Sequence, residues 1–303
     1  MIKRSAAPLY LFEYMFDIFP QLVVNSLIAG SIYALLAVSF NFIFSATRFF
    51  NLAHGSFAVI AAYAVFYFGR ELGLPTFLAV GIGVLFAATS AILIDRFIFH
   101  PLKMRGGSPM ILLVASLGVF TVINSIISMI FGSSFKTISN TIDKQYFELF
   151  GAAFTSVQLW IFILSLVVSI GFFIILEKTI FGKVVAAVSD DEEVSKIVGI
   201  DTDKVMAKVF FIGGGIAGLG GILAGFDTGV QPSLDMFFLL KAVIAAIIGG
   251  IGNPYGALLG AYLIGFLENF GIWVIPSEWK DTIAFVLLIV FLIFRPSGIL
   301  KRK

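Results

Sequence analysis

Cysteine is absent from the 303-residue chain, which excludes a disulfide framework, thiol catalysis and cysteine-ligated metals. Charge is scarce as well. Asp, Glu, Lys and Arg make up 13% of the residues, against about 25% in ordinary soluble domains. Lys and Arg total 20 against 18 for Asp and Glu, so no field of one sign surrounds the molecule and nucleic-acid binding is set aside. The two histidines, His54 and His100, lie in no metal-ligand spacing such as His-Glu-x-x-His, and an enzyme built on clustered acids, nucleophiles or metal ligands has nothing to work with. No cofactor or metal site is expected.

What the chain has is apolar surface. Hydrophobic residues make up 59% of it, aromatics 15%, and mean hydropathy is +1.05. A soluble globule of this size cannot hide that excess. Charge-free runs cover 18–47, 49–69, 72–94, 106–135, 149–176, 209–226 and 242–267, and Thr282 to Phe294 adds a last apolar segment. A helix needs about 20 such residues to cross the hydrocarbon. The run at 242–267 contains Gly252-Asn253-Pro254-Tyr255-Gly256, a turn that divides it into two short helices. The expectation is an all-α polytopic membrane protein, one transmembrane domain over 1–303, with about eight to nine membrane helices. Glu13 and Asp17 interrupt any signal-peptide core after Lys3 and Arg4, so residues 1–20 are expected along the interface.

Basic residues orient the spans. Arg96, Lys103 and Arg105, then Lys178, Lys183, Lys196, Lys204 and Lys208, then Arg295 and the last three residues mark 95–108, 177–208 and the C-terminus as cytoplasmic. The stretches 132–156, 227–235 and 276–281 face outward. A re-entrant segment near 45–68 would also bring Lys3 and Arg4 to the cytoplasmic side. Glycine is concentrated at 213–225 and again at Gly252, Gly256 and Gly260, either for tight packing within the subunit, for a thin-walled path, or for contact with a second subunit.

Three groups of residues carry candidate functions. In 189–200, Ser189 with Glu192 reads as a capping box, Glu193 adds charge at the helix start, and Gly199 stands at the C-terminal cap. Val194, Ile197 and Val198 then form a narrow apolar face, for docking on another protein or for lying on the membrane surface. Asn51, His54, Gly55 and Ser56 form a polar cluster opening the second apolar run. If the helix has begun by Asn51, it shares a face with His54 and the pair bridges a break in the span; the other reading is that His54 is a structural hydrogen-bonder at the helix start. Lys241 and Glu268 are the charges set deepest in the C-terminal spans. They pair with each other, reach the interface, or relay ions.

These motifs occur together in one order. Asn51-Leu52-Ala53-His54-Gly55 resembles the Asn-x-Ala-His-Gly signature of branched-chain amino acid ABC transporter permeases of the LivH type. The 189–200 helix with Asp201 to Lys204 is similar to their ATPase-contacting loop, with Glu193-Val194-Ser195 where Glu-Ala-Ala is usual. Lys241-Ala242, Gly249 through Ala257, Glu268 and Phe294-Arg295-Pro296-Ser297-Gly298 match the C-terminal half, so the likeness covers about residues 20–300. The resemblance implies an importer of the bacterial inner membrane. In it, a periplasmic or lipid-anchored binding protein delivers substrate, two homologous permeases form the path, and two ATPase subunits drive it. Residues 189–199 would couple to the ATPase, and Asn51, His54, Gly55 and Ser56 would lie on the path. The sequence agrees that ATP is bound elsewhere, because Gly182-Lys183-Val184 lacks the upstream glycine and the hydroxyl of a phosphate loop. Urea or short-amide permeases of the same family, and an ion-coupled secondary transporter, are the competing readings.

Overall fold

The computed structural model describes residues 7–138 and 145–300, with side chains from Ile18 onward. Helix α1 (Ala7–Thr47) runs unbroken through Pro20, α2 (His54–Val65) continues as a π-turn to Glu71, and α3 (Thr76–Ile94) continues through a π-turn into α4 (His100–Met104). Helix α5 (Pro109–Phe131) leads to a hairpin, β1 (Tyr146–Leu149) and β2 (Ala152–Thr155), and then to α6 (Ser156–Lys178). The short α7 (Ile180–Asp190) and α8 (Glu192–Ile197) precede α9 (Thr202–Thr228). Helices α10 (Leu234–Gly249) and α11 (Pro254–Gly271) form a pair bent by 114°, and α12 (Lys280–Phe294) closes the described chain.

Among the described residues, five helices are long and apolar enough to cross a membrane, or six if the bent pair is one span. That falls short of the expected eight to nine, because α2 and α12, with 12 and 15 residues, are shorter than a full crossing. The chain is nonetheless helical and polytopic. Of the stretch expected to be interfacial, residues 1–6 fall outside the described residues and 7–20 open α1. The hairpin was not foreseen: Phe150 and Gly151, both at positive φ, close it.

Helix α1 is the axis of the bundle, with α6, α9, α10 and α11 around it, while α2 packs chiefly on α3, α9 and α10. From Ser26 to Ala46 α1 is largely buried. Its serines are tolerated there because each donates to a carbonyl of the preceding turn, Ser26 to Leu22, Ser31 to Leu27 and Ser39 to Leu35, at 2.6–2.7 Å. Glycines give the close contacts. A Cβ on Gly221 would sit 2.2 Å from the Ala58 carbonyl oxygen, and one on Gly260 2.2 Å from that of Ala245. The glycine-rich faces of 213–225 and 249–265 are therefore consumed within the subunit, which corrects the reading of them as surfaces for a second subunit.

The two ends of the bundle sort as the basic residues imply. Lys103 pairs with Glu192, His100 lies 3.8 Å from Asp203, and Leu300 N–H donates to the Gly249 carbonyl at 2.9 Å, joining 95–108, 177–208 and the C-terminus at one end. At the other, Lys136 bridges Val230, Gln158 donates to Asp227, and Gln21 exchanges two hydrogen bonds with Ala153. The segment near 45–68 does not re-enter. Arg48 bonds the Ser189 carbonyl at the basic end, while Arg70 bonds Thr137 at the opposite end.

Candidate functional site

The helix expected at 189–199 is shorter and begins later. Ser189 belongs to the last turn of α7, and its hydroxyl is buried without a hydrogen-bond partner among the described residues. Asp191 caps α8 instead: its Oδ1 accepts from Val194 N–H at 3.0 Å, and its carbonyl accepts from Ser195. The cap shifts because the chain turns extended at Asp191 (φ −150°) between two helices. Gly199 follows the last turn at φ +88°, the left-handed geometry a glycine cap supplies. Lys103 from α4 and Lys196 from within α8 both bond Glu192, fixing the short helix to the basic end. Burial pushes the Glu192 carboxyl up, but these two ammonium hydrogen bonds outweigh it and hold the group below its ordinary value. With its polar side so held, α8 presents Val194, Ile197 and Val198 outward, 52%, 83% and 69% exposed.

Arg48 ends α1 in the left-handed conformation (φ +60°), and the chain then crosses to α2 without helix. Asn51 precedes the helix rather than sharing a face with His54: its side chain accepts from Ala53 N–H at 3.0 Å and its carbonyl from His54 N–H at 3.2 Å. His54 opens α2 and donates from Nε2 to the Leu36 carbonyl at 3.2 Å, with Ser39 Oγ 3.1 Å away. Leu36 lies eleven residues before the end of α1, about 16 Å along the helix, so the break reaches well into the membrane. Asn51 Nδ2, His54 Nδ1 and Ser56 Oγ have no partner among the described residues and are buried. Gly55 lets α2 meet α10, since a Cβ there would fall 2.0 Å from the Asp235 carbonyl oxygen.

Lys241 of α10 and Glu268 of α11 form an ion pair, 2% and 0% exposed. Tyr33 of α1 donates to the second carboxylate oxygen at 2.9 Å, and Asp281 of α12 accepts from Lys241 at 2.8 Å. The ammonium also lies 5.1 Å from the centre of the Phe237 ring. Four helices are thereby fastened through one cluster, buried at Lys241, Glu268 and Tyr33 and open at Asp281, whose side chain is 60% exposed.

Two contributors escaped the sequence reading. Tyr33 and Asp281 are remote in sequence from the pair they complete. Arg48 carried a readable signal, since it is the lone charge separating two apolar runs. Its guanidinium joins the 48–53 turn to the C-terminal end of α7, immediately before the exposed helix, so two candidate regions are one connected structure.

Residues 22–292 match the family model described as branched-chain amino acid transport system / permease component. The chain is 30% identical over 295 residues to the high-affinity branched-chain amino acid transport system permease protein BraD of Pseudomonas aeruginosa, covering 93% of this chain and 95% of that one. It is 29% identical to LivH of Escherichia coli K12, covering 94% and 96%, and 27% identical to a probable LivH of Methanocaldococcus jannaschii, covering 92% and 91%. In fold it is similar to a solved structure, PsaBC from Streptococcus pneumoniae in complex with Fab, with a TM-score of 0.51, 13% identity, and coverage of 95% of this chain and 97% of that one. With its polytopic helices, its broken second span and a match along nearly its whole length, the chain belongs to the branched-chain amino acid transport system permease component family.

Proposed function

We propose that this chain is the transmembrane permease subunit of an ABC importer for branched-chain or related amino acids in the bacterial inner membrane. It forms the translocation path with a second homologous permease. Two separate ATPase subunits hydrolyse ATP, and a periplasmic or lipid-anchored binding protein delivers the substrate.

The observation that carries this reading is the exposed apolar face of α8, held at the basic end by Asp191, Lys103 and Lys196. A rigid apolar face beside charged loops suits a protein partner better than bulk water. Arg48 then supplies a physical route from that face to the break at 48–53. Three buried polar atoms without partners in that break would each cost about 1–3 kcal/mol, a cost that path-lining groups recover when the path opens.

The test is to place cysteines at 194 and 197 and crosslink them to the ATPase in an active complex taking up leucine. Failure of both positions to crosslink while uptake persists would falsify the coupling assignment.

A further inference from the structure

At the end of the bundle opposite the basic loops lies a cavity of about 280 Å³, walled by α1, α6, α9, α10, α11 and the start of α12. Among the described residues, its wall combines one carboxylate with one ammonium. Asp227, at the end of α9, accepts from Gln158 at 3.2 Å, and Lys280 opens α12 beside Asp281, the exposed member of the charge cluster. Asn25 and Asn269 contribute amides. The rest is largely apolar, with Ile32, Phe237 and Phe238 forming broad walls. Tyr33 lines the same space and donates to Glu268, so the cavity floor rests on the desolvated ion pair.

This combination selects a ligand class. A volume near the small end for ligand sites takes one small solute. Opposite charges on an otherwise apolar wall match a molecule with its own positive and negative groups and an aliphatic body. A simple cation or anion satisfies only one of the two, and urea uses neither charge and leaves the apolar walls unfilled. We propose that the cavity binds a zwitterionic α-amino acid with an aliphatic side chain, with Asp227 taking the ammonium and Lys280 the carboxylate. The inference rests on the import reading above and adds to it that the permease itself recognises both charged groups.

The chain contains no cysteine, so Ala29→Cys on the cavity wall supplies the one thiol in this subunit. In the assembled transporter in nanodiscs, its reaction with an aqueous methanethiosulfonate is followed with L-leucine, with 4-methylpentanoate, which lacks the ammonium, and with 3-methylbutylamine, which lacks the carboxylate. Saturating leucine should slow labelling about tenfold, and neither analogue should at the same concentration. Asp227→Asn and Lys280→Gln, added singly, should each raise the leucine concentration needed for half-protection about tenfold, each variant being scored against its own rate without leucine. Equal protection by all three compounds, a thiol inert without ligand, or leucine protection untouched by both substitutions overturns the proposal. Leucine uptake by the unaltered complex is measured in parallel. Uptake without protection sinks this inference alone, whereas absent uptake sinks the import reading with it.

Discussion

Glu268 has no solvent exposure and is satisfied by Lys241 and Tyr33. Removing its charge leaves an ammonium 2% exposed with Asp281 as its remaining ion partner. Glu268→Ala should therefore cost about 3–5 kcal/mol, lessened to the extent that Asp281 takes over, and Tyr33→Phe about 1–2 kcal/mol; thermal unfolding in detergent reads both. Equal, negligible effects would mean that the cluster is not desolvated. Lys241 and Glu268 were legible as a pair because they are the charges set deepest in the C-terminal runs. Tyr33 and Asp281 were not, because nothing in local spacing brings α1 and α12 to α10. Arg48 differs: its partner is a backbone carbonyl at Ser189, which no residue type announces. Arg48→Gln should leave the protein inserted and crosslinkable at position 194 but lower uptake about tenfold, because the link between α8 and the break is lost. Full uptake by that variant would remove Arg48 from the coupling route.

At the level of the element, α8 is where local signals competed. Ser189 and Asp191 are both good N-caps, and the sequence alone places a box at Ser189 with Glu192 three residues later. The structure gives Ser189 to α7, because that helix continues to Asp190 before the chain extends. The two substitutions therefore separate the alternatives. Asp191→Ala should destabilise the short helix by about 1 kcal/mol and reduce crosslinking from 194, whereas Ser189→Ala, which deletes a hydroxyl without a partner among the described residues, should leave crosslinking unchanged. The reverse ranking would restore the earlier cap. Glu192 adds a pH dependence. Its carboxyl is held below the ordinary 4.5 by Lys103 and Lys196, so its stabilising effect is present above that value and is lost as pH falls through the lower folded one. The difference in unfolding temperature between the unaltered protein and Glu192→Gln should be flat above about pH 5 and shrink progressively as pH falls below the ordinary carboxylate value. The spans were readable from charge-free length, but the break at 48–53 was readable only in part, since Asn51 and His54 fit a helix face as well as a turn. The hairpin left no sequence signature because Phe150 occupies a left-handed turn position that Asn usually holds.

For the molecule as a whole, the glycine-rich helices bind α1, α2, α10 and α11 to one another, and what remains outward is the faces of α3, α5, α6 and α12. One chain thus presents a packed core, one exposed short helix with an apolar face, and no phosphate-loop motif in its sequence. On the proposed reading, that exposed face is the place for an energy-supplying partner. The buried pair bears on the alternative of ion coupling. A carboxylate that exchanges protons with a path must be reached by water, yet Glu268 is enclosed by Lys241 and Tyr33. Reconstituted alone, the protein should give no leucine uptake with or without ATP, and addition of the ATPases, a second permease and the binding protein should restore it. That uptake should persist when a protonophore collapses the proton gradient and stop when ATP is withheld. Saturable movement of leucine by the chain alone, or uptake by the full assembly that follows the proton gradient rather than ATP, would replace the importer with a secondary transporter and return Lys241 and Glu268 to an ion-carrying role.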